Sequence, residues 1–490
     1  MISTLKNLSK HSVLYGFGGL LNRIIGFILL PVYTKYLTPA DYGVFSLLTI
    51  IGNIALLMSQ MGIGTALFRE IIYVESDEST TESTALFFLL IVGLLIFAVL
   101  SFASPYLSKI IFNALVNIHL LQIVFLTTFF SLIDVLFLSK IRIKEQAGLF
   151  SVLAILKFSI NISLNIFFIV YLRKGVEGLV HASFITAVFF ALIYFIIMLP
   201  ELKLTFSVKI LKNLLSFGLP LVPASIASLA MKYVDRFFLQ HYSTMSEVGL
   251  YSLGYNIGLV MNMTVQAFQM AWPSHMFAIS KKPDAEYTFA KILTYYLFIL
   301  GFIGLAISTL SKEILFVMVT PEFYGAYKVI PLIVISYILY GVSFITNTGF
   351  TIHNKMKFVP PIFIVTSLLN LLLNFLFIPE YGMIGAALAT ILSYLCLAVI
   401  HTLVNQYFWK IPYEYKRIGK IIVVWIILYG CGLIVTVENL WLSVLVKTGF
   451  LFFYPFLLYF FNFFTQQELN LFKQNCLTIM LKIKSDKTIK

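Results

Sequence analysis

Ala85-Leu86-Phe87-Phe88-Leu89-Leu90-Ile91-Val92-Gly93-Leu94-Leu95-Ile96-Phe97-Ala98-Val99-Leu100 contains no charge and no strong hydrogen-bonding side chain. The uncharged stretch runs over 84–104. About 20 such residues, coiled as a helix, cross the hydrocarbon of a bilayer. Stretches of this kind recur along the chain. The spans predicted are 12–35, 42–68, 84–104, 118–139, 148–172, 178–199, 213–240, 248–272, 288–310, 328–351, 359–378, 383–406, 420–436 and 441–464. Breakers separate many of them: Thr38-Pro39-Ala40-Asp41, Pro105, Pro200, Pro283, Pro379 and Pro412.

Composition agrees with that count. Of 490 residues, 60% are hydrophobic and 11% charged, and the mean hydropathy is +0.96. A soluble domain carries about 25% charge. So few charges cannot cover a water-facing surface, and the apolar share suffices for roughly fourteen spanning helices. A soluble enzyme, a disordered chain and a disulfide scaffold are excluded, and the unbroken apolar runs oppose a β-barrel. Cys396, Cys431 and Cys476 have neither CxxC nor CxxH spacing. The net charge of +13 is explained by basic cytoplasmic loops without nucleic acid. The first apolar run is too long for a signal peptide and is expected to stay as a helix.

Orientation follows from the Lys and Arg residues. Of the 34, 23 fall on one side of the predicted spans and 7 on the other; Arg23, Lys157, Lys232 and Arg236 lie within spans. The basic side is expected to be cytoplasmic, with both termini on it.

Two halves resemble each other. Thr38-Pro39-Ala40-Asp41-Tyr42-Gly43-Val44-Phe45-Ser46-Leu47 matches Thr244-Met245-Ser246-Glu247-Val248-Gly249-Leu250-Tyr251-Ser252-Leu253, an offset of 206. Gln60 lands on Gln266, Asn161 and Asn165 fall near Asn370 and Asn374, and Gly178 falls on Gly385. An even, six-helix repeat implies two lobes related by an axis along the membrane normal, with a substrate path between them. The expected fold is an all-α polytopic membrane protein: lobe 1–206, lobe 207–408, an extra helix pair over 409–465, and a basic tail over 466–490.

A charge within a span is costly and marks a cavity or a partner. Arg23 shares a face with Gly16, Gly19 and Gly26. Ser225, Ser228, Lys232 and Asp235/Arg236 form a second stripe, and Lys157, Asn161 and Asn165 a third. Arg23, Lys157, Lys232 and Arg236 are therefore candidates for a cationic cavity, and Gln60, Asn161, Asn165, Asn262 and Gln266 for its polar lining. The asparagines serve equally to bond neighbouring helices. Asp235 is either the counter-ion of Lys232, its i,i+3 neighbour, or of Arg236, or else an ion-coupling site; Asp134 presents the same choice. No metal site and no catalytic constellation is read from the sequence.

The segments Tyr15-Gly16…Pro31…Leu37-Thr38-Pro39-Ala40-Asp41-Tyr42-Gly43 and Tyr233-Val234-Asp235-Arg236-Phe237…Glu247-Val248-Gly249-Leu250-Tyr251 resemble the O-antigen-type polysaccharide flippases of the multidrug/oligosaccharidyl-lipid/polysaccharide (MOP) exporter superfamily. The resemblance implies a non-enzymatic exporter of undecaprenyl-pyrophosphate-linked oligosaccharide in a bacterial inner membrane. It implies a cationic cavity with Arg23, Lys157, Lys232 and Arg236, no cofactor beyond an H+ or Na+ gradient, and membrane lipids and polysaccharide assembly proteins as partners. Lipid II flippases and multidrug extruders are the alternative members, and a membrane glycan polymerase or glycosyltransferase is the enzyme alternative.

Overall fold

The computed structural model describes residues 29–112, 118–203, 205–435, 437, 439–470 and 474. In chain order its helices are α1 (Leu30–Tyr36), α2 (Pro39–Gln60), α3 (Ile63–Phe68), α4 (Glu78–Phe112), α5 (Ile118–Ile143), α6 (Ala147–Ile166), α7 (Gly175–Met198), α8 (Val208–Gly218) and α9 (Val222–Tyr242). They continue with α10 (Met245–Ile279), α11 (Ala285–Thr309), α12 (Ser311–Met318), α13 (Ile330–Thr346), α14 (Thr348–Ile352), α15 (Val359–Phe408), α16 (Tyr415–Ile434) and α17 (Leu440–Phe460). The chain is all-α, as expected.

Eleven described helical segments are long and apolar enough to span a membrane. One of them contains α15, which turns at Gly382 (φ 52°, ψ −131°) and so supplies two spans, as Pro379 and the predicted break indicate. Helix α10 is more polar than the others and crosses the bundle interior, where Tyr251, Tyr255 and Met261 are buried. Together these account for thirteen of the fourteen predicted spans, eleven plus one for the α15 turn and one for α10. The first, 12–35, lies mostly outside the described residues. On α4, Ile91, Leu94, Leu95, Val99 and Phe102 are 57–84% exposed. Only lipid makes such a surface favourable.

Local chemistry sets the helix starts. Thr38 caps α2: its Oγ1 accepts from the Asp41 amide at 3.2 Å, while Asp41 accepts from the Thr38 amide at 3.0 Å. Thr244 caps α10 through the Glu247 amide at 3.2 Å. These two helices, equivalent in the repeat, cross each other. A Cβ on Gly249 would lie 1.8 Å from the Pro39 carbonyl oxygen, and one on Gly43 would lie 2.3 Å from that of Met245. Gly43 and Gly249, and likewise Pro39 and Met245, are equivalent positions 206 apart, so the two contacts mirror each other. One turn further, Ser46 Oγ donates to Ser252 Oγ at 2.8 Å, again across 206 positions. Small residues let the backbones touch where lipid offers no hydrophobic drive for association.

The connection between halves is within the membrane. Leu214 of α8 packs in the core formed by α3, α4, α5 and α7. Asn213 donates to Glu70 at 3.0 Å and the Ser207 amide to Thr84 Oγ1 at 3.1 Å. After Leu219-Pro220-Leu221 the chain continues as α9, which packs against α15. Pro220 and Pro223 lack amide protons and weaken the helix there. The chain thus leaves the contacts of the first half at Gly218–Val222.

At the same end, Glu82, Lys140, Glu201 and Lys144 form an ion network: Lys140 Nζ is 2.6 Å from Glu82 and 2.8 Å from Glu201, and Lys144 is 2.6 Å from Glu201. These lysines account for the proximity of Glu78, Glu82 and Glu201. Glu201 lies in the loop after α7. Hydrogen bonds from Lys140, then Lys144, lower its pKa to about 2. Its stabilising contribution is full above the ordinary carboxylate pKa and is lost as pH falls through the folded value. Thermal melts of wild type and Glu201→Gln should differ by a constant amount from pH 7 to about 5, and the difference should shrink towards pH 2. A difference independent of pH down to 3 contradicts the clamp.

Candidate functional site

The α2–α10 crossing joins the halves at the end where Pro39, Gly43 and Met245 lie. Towards the other end they part, leaving a cavity of about 1130 Å³. Its wall includes Asn53 and Gln60 of α2, Arg142 at the end of α5, and Ser225, Ser228 and Tyr233 of α9. Gly62, Leu221 and Val359, all at helix termini, also line it, so the mouth faces the basic end. A smaller recess of about 170 Å³ shares Asn53 and Leu56 with it and is lined by Thr49, Thr127, Thr128, Ser131 and Ser183. The path therefore presents hydroxyls, amides and a cation.

The cation in the wall is one that sequence reasoning missed. Arg142 counts as a loop charge after span 118–139, yet α5 continues to Ile143 and carries it into the cavity rim. Its guanidinium lies 5.2 Å from the Phe150 ring centroid and has no ion pair among the described residues. The signal was its place one turn beyond a short predicted span.

The other expected cations are placed differently. Arg236 is 2% exposed and stands away from the cavity wall. It donates to Asp235 at 2.8 Å and to the Lys232 carbonyl at 2.6 Å, and its guanidinium lies 4.0 Å from the Tyr255 ring centroid. Asp235 accepts in turn from Tyr251 at 2.5 Å. Arg236, expected in the cavity, is in this structure a buried partner of Asp235. The nearest described base to Asp235 is likewise Arg236 and not the i,i+3 Lys232, whose Nζ lies 4.7 Å from the Tyr233 ring centroid. Lys157 forms an ion pair with Asp134 across α5 and α6. These two candidates, read separately from sequence, are one unit. Arg23 lies outside the described residues.

Of the amides, Gln60 lines the cavity. Asn161 donates to Thr186 at 3.2 Å and Asn165 to Asn161 at 2.9 Å. Asn370 and Asn374 repeat the pattern with Ser393, at 3.1 and 3.0 Å. Through Asn161 and Asn370 these clusters bond neighbouring helical segments in both halves, the second of the two roles the sequence left open. Asn262 is buried on α10, and neither it nor Gln266 is in the cavity wall.

Residues 32–274 match the family described as polysaccharide biosynthesis protein. An uncharacterized membrane protein of Methanocaldococcus jannaschii is 25% identical over 201 residues, 39% of each chain. A probable low-salt glycan biosynthesis flippase of Haloferax volcanii is 25% identical over 218 residues, 44% of this chain and 46% of that protein. The matched stretches thus span less than half of these relatives. The fold is similar to that of the lipid II flippase MurJ in an inward closed conformation, with a TM-score of 0.70, 16% identity, and coverage of 91% and 99% of the two chains. It is also similar to a MOP superfamily transporter from Pyrococcus furiosus, with a TM-score of 0.59, 17% identity, and coverage of 85% and 96%. The polysaccharide resemblance is borne out by the family segment, and the solved structures share the fold.

The buried Asp235–Arg236 pair yields a direct prediction. Asp235→Asn leaves a guanidinium uncompensated in the interior and should destabilise the protein by about 3–5 kcal/mol. Adding Arg236→Gln should recover much of the melting temperature of the solubilised protein, while adding Lys232→Gln should not. Unchanged melting of Asp235→Asn contradicts the pairing.

Proposed function

We propose that this protein moves a lipid-linked oligosaccharide across the cytoplasmic membrane by alternating access, with undecaprenyl pyrophosphate as carrier and a surface polysaccharide such as O-antigen, capsule or exopolysaccharide as product. The observation that carries the reading is the cavity: its largely apolar wall carries hydroxyls, amides and Arg142, which has no ion pair among the described residues, and it opens at the basic end with the α2–α10 crossing at the other. Basic ends face the cytoplasm, so the open mouth is on the side where the carrier is loaded, and both termini are inside.

Each part of such a substrate meets a matching surface. The pyrophosphate suits Arg142 at the rim, because a guanidinium binds phosphate oxygens in a fork. Lys232 continues the stripe of Ser225 and Ser228 and serves as a second cation, as does Arg23 by resemblance. The glycan suits Gln60, Asn53 and the hydroxyls of the recess. The lipid chain stays in apolar surroundings, where an apolar groove of about 580 Å³ runs between α11, α13, α15 and α16 past Leu293, Ile338, Val342 and Trp425. A lipid II carrier or a multidrug substrate is the competing choice. The polysaccharide family match and the glycan flippase relative favour the oligosaccharide.

Any coupling ion acts best at Asp134. Its Oδ1 is buried without a hydrogen-bond partner among the described residues, and Lys157 beside it is partly exposed. Asp235 is fully engaged by Arg236 and Tyr251. An ion drives transport only by binding the two access states differently.

The test is Arg142→Ala. A charged hydrogen bond to phosphate contributes about 1.5–3 kcal/mol, equivalent to roughly a tenfold to hundredfold loss. Export should fall by that factor, with lipid-linked glycan accumulating on the inner leaflet and the protein still present in the membrane. Arg142→Lys should retain part of the activity, since charge survives but the fork does not. Normal export by Arg142→Ala removes the pyrophosphate assignment.

A further inference from the structure

A second polar pocket lies at the opposite end of the helices from the main cavity. It occupies about 420 Å³ where the ends of α11 and α12 face those of α16 and α17. That volume falls in the range of small-molecule sites, about 300–1,000 Å³. Helices meeting at a lipid-facing joint have no packing need for such a space, and its lining is polar.

Glu313 and Lys447 form the centre. Lys447 Nζ donates to Glu313 Oε1 at 2.6 Å, and Ser443 Oγ donates to the same oxygen at 2.7 Å. All three residues are at most 8% exposed. The second carboxylate oxygen, Oε2, is buried and has no hydrogen-bond partner among the described residues. Ser308, 2% exposed, also has a buried Oγ without a partner among the described residues. Buried polar atoms of native proteins are nearly always satisfied. A carboxylate oxygen and a hydroxyl left open in one pocket call for a ligand.

Charge decides its class. A free carboxylate oxygen repels phosphate or any other anion. The Lys447 ammonium, bonded to the same carboxylate, repels a second cation. What fits is a neutral group that both donates and accepts, and a cluster of hydroxyls does so. Tyr429, stacked on Trp425 with ring centroids 5.0 Å apart, adds an aromatic wall suited to the apolar face of a sugar ring. Lys312 at the rim offers further N–H donors.

We infer that this pocket is a saccharide-binding site, built on Glu313, Ser308, Lys447 and Tyr429, on the membrane face opposite the loading cavity. Its assignment as the place that holds the glycan after translocation rests on the transport reading above; its affinity for sugar does not.

The experiment is saturation-transfer NMR on the full chain in nanodiscs, with glucose, N-acetylglucosamine and their disaccharides as probes and glycerophosphoethanolamine as the headgroup competitor. Wild type should transfer saturation to saccharide ring protons. Glu313→Gln, which keeps the volume and replaces the acceptor by a donor, should cut the signal at least about fivefold. Ser308→Ala, a smaller change, should cut it in part, and it keeps the test valid if Glu313→Gln fails to fold. No saccharide signal, a signal independent of both residues, or a signal from glycerophosphoethanolamine alone overturns the site. Because free sugars are read directly, loss of this signal leaves the transport reading standing, and a failure of export in other variants leaves this binding intact.

Discussion

Two helix backbones touch between Gly43 and Gly249, and the rest of the molecule is arranged around that contact. A methyl group at either glycine would overlap a carbonyl of the partner helix. Overpacking of this kind ordinarily costs about 1–3 kcal/mol. At the other end of α2 the cavity lies between α2, α3 and α5 on one side and α9 and the start of α15 on the other. Ser46 and Ser252, one turn inward, bond across the same contact. The close backbone contact and the cavity mouth thus lie at opposite ends of α2.

Three acid–base pairs neutralise charges inside the bundle away from the cavity wall. Asp235–Arg236, Asp134–Lys157 and Glu313–Lys447 each join acid to base within or at the edge of the membrane. A single charge in hydrocarbon would be costly, so each partner requires the other. Arg142 has no such partner among the described residues, and it lines the cavity. An unpaired cation in a water-accessible wall is the difference between a structural charge and one available to a substrate.

Most of the fold was legible in the sequence because hydrophobicity in a bilayer is nearly unambiguous: long apolar runs must be helices, and Gly, Pro and capping residues end them. The repeat was legible because the α2–α10 contact requires the same small residues twice. The site was less so. Helical spacing showed that Lys232, Asp235 and Arg236 share a stripe, but not that Arg236 turns back to Asp235 under the Tyr251 and Tyr255 rings. Those rings come from α10, and no pattern along α9 encodes them. For Asn161 and Asn165 the sequence left open whether they line a path or bond helices, because both keep polar groups away from lipid; in the structure Asn161 reaches Thr186 of α7 and Asn165 reaches Asn161. Arg142 was taken for a loop residue because its helix outlasts the apolar run, as helices do when their ends project into water.

The central claim is that the Ser46–Ser252 contact must open for transport. Ser46→Cys and Ser252→Cys, introduced together after replacing Cys396, Cys431 and Cys476, place two thiols at a site whose native oxygens are 2.8 Å apart. Oxidation should form the disulfide readily and stop glycan export, and reduction should restore it. Export that continues at the wild-type rate with the disulfide fully formed would contradict the account.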